Sequence, residues 1–471
     1  MGRFRAFARG LFPRKADAPL ISPVTVFIRR FSLVAPSFVL AGALLFSSYL
    51  RAEEVSQRPL PPHVEGLFRP TLATQKQLEK KIGQPIPGSD LHALANASND
   101  ADLHFFAGET YEMGHGVPPD LKKAMEHYRS AANAGHVRAQ LRKAWFLVAN
   151  TRDNRPEALA IVKKAAESKD PVAEINLAVM QMLGYEGPEK EAVGYARLKE
   201  LAYDGLPEAE YALGTAYLEG DIIPQDDERA MSWLRPAAEK GFAGAALTVG
   251  NSYRQGSGVE LSPALALKYF EIAAEGGVPQ AQQDVGMAYL NGLGTDKDFA
   301  KSAKWLRKAS ESGFVDAMAN LGGLLATGPE ATEESRKEGL VWLEKANSYG
   351  HPLAQYFLAA LYLNLTGTSP YYDFPKGLAL LQASADAGNP GAQTDLAQLL
   401  RFGSVEGLKA DKIEAAKWAF LATKNDYPLA HDLLRRIRST LSEEDWRDAQ
   451  RRADRFLRRP LTPKPKSTPI K

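Results

Sequence analysis

The 471-residue sequence predicts an all-α solenoid, closed by a C-terminal helix and preceded by one membrane-spanning helix. Three observations predict it. A small residue recurs at Gly108, Ala144, Ala178, Gly214, Gly250, Gly286, Gly322, Ala359 and Ala397, at intervals of 36, 34, 36, 36, 36, 36, 37 and 38. A second series of glycines follows at Gly135, Gly205, Gly241, Gly277, Gly313, Gly350 and Gly388, with Lys169 and Asp426 in the same place in the second and ninth units. Residues 31–50 carry no charge and follow a basic leader. A fixed period of this length marks helical repeats that each contact only their neighbours. Such a chain presents a long surface and does not enclose one pocket.

Taken in order, residues 1–30 carry seven Arg or Lys against the single Asp17 and read as a cytoplasmic tail. Residues 31–50 are long enough to cross a bilayer. The positive leader predicts a cytoplasmic N-terminus with the remainder carried across. Leu50-Arg51-Ala52 is a poor small-x-small cleavage site, so an uncleaved anchor is favoured over a cleaved signal peptide. The Arg-rich, acid-poor leader also keeps open a mitochondrial presequence followed by an anchor. Residues 51–100 hold Pro59, Pro61, Pro62, Pro70, Pro85 and Pro87 and read as an extended spacer, with room for a short helix over 71–82.

The repeats fill residues 101–430. In two of them Ala245, Val249 and Tyr253, and Ala281, Val285 and Tyr289, lie four residues apart on one helical face. The Gly between them removes a side chain where a neighbouring helix must approach. Gly256 and Gly258, or Gly292 and Gly294, then end the helix, since glycine tolerates the left-handed conformation of a C-cap. A second helix follows, as over 298–312, where Ala303, Trp305, Leu306 and Ala309 form the expected buried stripe. Trp233, Tyr269, Trp305, Trp342 and Trp418 recur in these second helices and are expected to be core wedges between repeats. Pro236 falls inside one of them and is expected to kink it or disturb its start.

The pattern Ala-x-x-x-Leu/Val-Gly-x-x-Tyr-x-x-Gly-x-Gly-Val, then Asp-x-x-x-Ala-x-x-Trp/Tyr-Leu-x-x-Ala-Ala-x-x-Gly, resembles the Sel1-like repeat family, relatives of tetratricopeptide repeats. The resemblance implies antiparallel helix pairs stacked into a right-handed superhelix of about nine units. It is strong in units four to six. It weakens in unit two, where 149–154 replace the Gly-x-Gly turn, and in units seven to nine, whose turns carry insertions such as 365–373. It further implies an adaptor for protein complexes, not an enzyme. After the repeats, 431–458 read as capping helices: Ser442 is an N-cap with Glu443, Glu444 and Asp445 in the first turn, and the helix is expected to run to about Arg458. Residues 459–471 read as a disordered basic tail.

No cysteine is present, which excludes disulfides, thiolate zinc sites, cysteine catalysis and lipid attachment at a lipobox. The net charge of +2 hides a division: +6 in the first 50 residues, +7 over 435–471 and −11 between them. An acidic solenoid argues against nucleic-acid partners. The basic end suits a solvated cap, a glycan or anionic lipid. His104, His115, His127 and His136 lack helical ligand spacing, so no metal is expected. No phosphate-binding Gly-rich loop, Gly-x-Ser-x-Gly or His-Glu-x-x-His occurs, so no cofactor or catalytic residue is assigned.

In stacks of the family it resembles, the first helix of each pair lines the concave face. Counting away from the core stripe points to Tyr211, Asn251, Arg254, Gln283, Met287, Asn291, Tyr356, Asn364, Gln398 and Arg401. Their amide, guanidinium and aromatic groups suit an extended peptide or a helix laid in a groove. Trp145 and Val179 mark a more apolar stretch nearer the N-terminus. The expected function is a membrane-anchored scaffold on the periplasmic side of a bacterial inner membrane that binds other envelope proteins. The alternatives are a regulatory subunit of a membrane sensor or protease, and an exopolysaccharide or cell-wall assembly factor.

Overall fold

The computed structural model describes residues 93, 95–97, 100–113, 120–150, 152–364, 369–403, 408–425 and 427–458. The leader, the candidate span at 31–50, most of the spacer and the tail from 459 lie outside the described residues. Among the described residues no strand occurs, and no helix is long and apolar enough to cross a membrane. Two compact bodies are present, one ending at Phe314 and one beginning at Val315.

The first body is six helix pairs: α1 (Ala101–Met113) with α2 (Leu121–Asn133), α3 (Val137–Asn150) with α4 (Arg155–Ala166), α5 (Pro171–Met182) with α6 (Glu191–Tyr203), α7 (Pro207–Glu219) with α8 (Asp227–Glu239), α9 (Ala243–Gln255) with α10 (Pro263–Glu275), and α11 (Pro279–Asn291) with α12 (Phe299–Glu311). The second body is three pairs, α13 (Val315–Thr327) with α14 (Glu333–Ser348), α15 (Pro352–Tyr362) with α16 (Phe374–Asp386) and α17 (Pro390–Phe402) with α18 (Lys412–Thr423), and two closing helices, α19 (Pro428–Arg438) and α20 (Glu443–Leu457), which both pack on α18. Within each body each helix packs on the one before and the one after it, except that α20 packs back on α18 and not on α19. This is the α-solenoid the sequence predicts.

The local chemistry repeats with the period. Proline at the first turn opens α5, α7, α11, α15, α17 and α19, where its missing N–H costs nothing and its φ is already helical. Each second helix from α8 onward, and α20, starts on a side-chain cap. Asp226, Ser262, Asp298, Thr332, Asp373, Asp411 and Ser442 each accept a hydrogen bond from the backbone N–H three residues on. The cap residue's own N–H closes the turn onto a carbonyl of the first helix: Asp226 on Tyr217 at 3.0 Å, Ser262 on Tyr253 at 2.9 Å and Asp298 on Tyr289 at 3.0 Å. Asp373 on Tyr362 and Asp411 on Leu400 keep that bond at 2.9 and 2.8 Å although their turns are longer. The insertions that weaken the sequence pattern therefore leave the helix pair intact.

The repeated glycine is a contact surface. A Cβ on Gly250 would lie 2.6 Å from the Phe270 ring, and one on Gly286 would lie 2.7 Å from Leu306 Cγ. Where the first helix carries Ala178, the glycine has moved to the second: a Cβ on Gly194 would lie 2.5 Å from the Ala178 carbonyl oxygen. The left-handed stop after the second helices recurs too, at φ 86° in Gly241 and at φ 58° in Lys169.

Two expectations are corrected. Tyr269 and Trp418 are core, 3% and 1% exposed, but Trp233, Trp305 and Trp342 are only half-buried. The adjacent Leu234, Leu306 and Leu343 are fully buried and do the wedging. Successive residues turn about 100° around a helix, so a Trp-Leu pair cannot place both side chains on the core line. The Trp rings lie beside it, with Lys308 over Trp305 at 4.2 Å and Lys345 over Trp342 at 5.2 Å. Pro236 neither breaks α8 nor moves its start. It sits in the last turn, and the carbonyl deprived of its N–H belongs to Ser232, which is solvent-exposed and so is not left as a buried unpaired acceptor.

Candidate functional site

The first helices of successive repeats form one layer in each body, and the layer is tied together by polar side chains. In the first body Arg142 of α3 pairs with Glu112 of α1. Trp145 of α3 donates its indole N–H to Asn176 of α5 at 2.7 Å. Arg254 of α9 donates to Asp284 of α11 at 3.2 Å and to its own neighbour Asn251 at 2.6 Å. In the second body the Tyr356 hydroxyl of α15 donates to Asp395 of α17 at 3.0 Å. Arg142, Asn176, Asp284 and Asp395 all stand two residues before the repeated small residue. That position faces the preceding first helix, and a polar residue there stitches repeat to repeat.

These bonds sort the residues read from the sequence. Asn251, Arg254, Gln283, Met287 and Asn291 gather on α9 and α11, each partly exposed. Arg254 also lies over the Phe270 ring at 5.2 Å, and Asn291 donates to the Met287 carbonyl at 3.0 Å. The result is a polar, nearly neutral patch with one thioether in it. Burial raises the Asp284 carboxyl above the ordinary carboxylate range, and Arg254 opposes that. In the second body Gln398 and Arg401 lie partly exposed on α17, with the Arg401 guanidinium 4.9 Å from the Phe402 ring.

Three residues are placed otherwise. Tyr211 and Tyr356 are core, 4% and 1% exposed, and are not available to a partner at the surface. They stand three residues before the small residue, a position that turns inward where a bulky ring can fill space beside the next repeat: Tyr211 packs 5.2 Å from Phe242. Asn364 is a turn residue. It holds φ 52° after α15 and accepts a hydrogen bond from the Ser369 N–H at 2.8 Å, a conformation asparagine tolerates better than most side chains. Trp145 and Val179, the apolar stretch, are both fully buried.

The histidines are in the first repeat's packing. His104 and His127 face each other, Nδ1 to Nδ1, at 3.0 Å, with Tyr111 stacked on His127. His136 stacks on Phe105 and accepts the Ala139 N–H at 3.2 Å. His115 lies outside the described residues. Among the described residues no three metal-ligating side chains converge.

The Sel1 repeat profile matches residues 101–136, 207–242, 244–278, 279–314, 315–351, 352–389 and 390–427, more than half of the chain. The chain belongs to the Sel1 repeat family. The pairs α3–α4 and α5–α6 fall between the first two matches; they keep the architecture of the Sel1 repeat with a divergent sequence. This Sel1 repeat protein is similar to a solved Sel1 repeat protein of Oxalobacter formigenes, at 27% identity over 52% of this chain and 96% of that one, with a TM-score of 0.43. It is also similar to c5321, a protective antigen of uropathogenic Escherichia coli, at 22% identity over 79% and 94%, TM-score 0.29. Yeast Tom70 aligns at 14% identity over 82% and 95%, TM-score 0.32. No curated protein matches the chain. Sel1 repeat solenoids serve in general as non-catalytic surfaces for protein–protein interaction.

Proposed function

We propose that this Sel1 repeat protein is an adaptor anchored in a bacterial inner membrane by residues 31–50, with its repeats on the periplasmic side, where they gather other envelope proteins. The observation that carries the reading is the patch of Asn251, Gln283, Met287 and Asn291 across α9 and α11. Side-chain amides with little net charge match the N–H and C=O groups of an extended segment or one face of a helix, and a thioether adapts to an apolar side chain between them. The buried groups around the patch are spent on holding repeats together, which leaves a preformed surface that need not order on binding.

Two measurements test it. A proximity-labelling enzyme fused after Lys471 is expected to tag periplasmic proteins of one complex; tagging of cytoplasmic or mitochondrial matrix proteins defeats the topology. Met287→Glu is expected to lower capture of the tagged partner at least tenfold, by about 1.4 kcal/mol or more, since a carboxylate must be desolvated against the partner. Unchanged capture by a folded variant defeats the assignment of this patch.

A further inference from the structure

Asp284 and Asp395 occupy the same place in their repeats, two residues before Gly286 and Ala397, and each ties its helix to the preceding first helix. Their partners differ. Asp284 meets the guanidinium of Arg254, which stands four residues after the small residue of the preceding repeat. The residue in that place for Asp395 is Leu363, 1% exposed. Asp395 is 7% exposed and meets the neutral hydroxyl of Tyr356 from α15. The phenol of Tyr427, the residue that opens α19, is the other titratable group facing it, and neither α16 nor α18 brings a charge that bears on it. A buried carboxylate with no cation is costly, whereas a carboxylic acid in the same place is not.

We propose that Asp395 is a proton-operated latch on the closing helix α19: with its proton on, α17 seats against α15 and the start of α19, and with its proton off that seat weakens and α19 loosens. Burial holds this carboxyl far above the ordinary aspartate range, at about 7, against the opposing effect of the Tyr356 hydrogen bond. Since the folded value is raised, the stabilisation is complete below the unfolded-state value near 4 and is lost as pH rises to about 7. The loosening therefore develops towards neutral pH and is complete just above it. Gln398 and Arg401 ride on the same helix, α17, so the latch sets how firmly that stretch of the first-helix layer is held.

Hydrogen exchange on the full chain tests the proposal, with rates corrected for the intrinsic pH dependence of exchange. From pH 6 to pH 8 the opening constant of amides in α19 is expected to rise about tenfold, while amides of α13 and α14 in the same sample stay level. Asp395→Asn is expected to abolish the rise and to protect α19 at pH 8. Tyr356→Phe removes the Tyr356 hydroxyl donor and is expected to loosen α19 further at pH 8 than at pH 6. A wild-type profile that is flat in α19, or a rise that persists in Asp395→Asn, overturns the latch. If Asp395→Asn fails to fold, the contrast between α19 and α13–α14 in the wild-type chain still decides.

Discussion

At the scale of single residues, the position two before each repeated small residue decides more than its sequence context suggests. Arg142, Asn176, Asp284 and Asp395 look like isolated polar interruptions of an apolar helix, yet each reaches the preceding repeat. Glu109 is a second kind of buried polar residue. It is 4% exposed, and burial raises its carboxyl from 4.5 to about 8 although Arg138 and Arg142 pull it down. Its stabilising contribution is complete below pH 4.5 and is lost as pH rises towards 8. Glu109→Gln is therefore expected to stabilise the first body at pH 8 by on the order of 1–2 kcal/mol and to do little near pH 4.5, read from urea midpoints at the two pH values. A variant no more stable at pH 8 than the parent would mean that the carboxyl is solvated. Asp284 and Glu109 were missed from sequence because an acid on a helix reads as solvated until the neighbouring helix is in place.

At the scale of the element, helix pairs are fixed by caps and by close approach. Ser262→Ala removes the acceptor for the Leu265 N–H and is expected to cost about 1 kcal/mol, with faster amide exchange confined to the first turn of α10. Gly250→Val would force a branched side chain to within 2.6 Å of the Phe270 ring and is expected to cost about 1–3 kcal/mol in urea unfolding, more than Gly241→Ala, where a Cβ meets nothing but φ is 86°. The Trp-Leu dipeptides separate two roles that the sequence merges. Leu306→Ala is expected to cost about 2–5 kcal/mol and Trp305→Ala distinctly less, because Leu306 is fully enclosed and Trp305 is half in solvent. Equal losses would return Trp305 to the core.

At the scale of the molecule, a repeat array has no single nucleus of contacts, so damage is expected to stay local. Leu234→Ala in α8 should speed exchange most in α7 to α10 and least in α1 and α2; a uniform effect through the first body would mean one cooperative unit. The division of charge belongs to this scale too. The stretch over 51–434 carries a net −11, and the net positive charge lies in the two ends of the sequence.

Periodicity, prolines, caps and glycines determined the fold by themselves, because each acts within one helix or across one turn, and a chain of near-identical units repeats the same local message. Residue 442 as a cap and the closing helix to 457 were legible for that reason. The surface was only partly legible. Asn251, Arg254, Gln283, Met287 and Asn291 do fall together, but Tyr211 and Tyr356 turn inward and Asn364 shapes a turn. Which way a side chain faces depends on the size of residues about one period away in sequence that meet it across the helix layer. Whether an acid there meets a guanidinium, as Asp284 does, or only a hydroxyl, as Asp395 does, is decided by that packing and not by the acid's own helix.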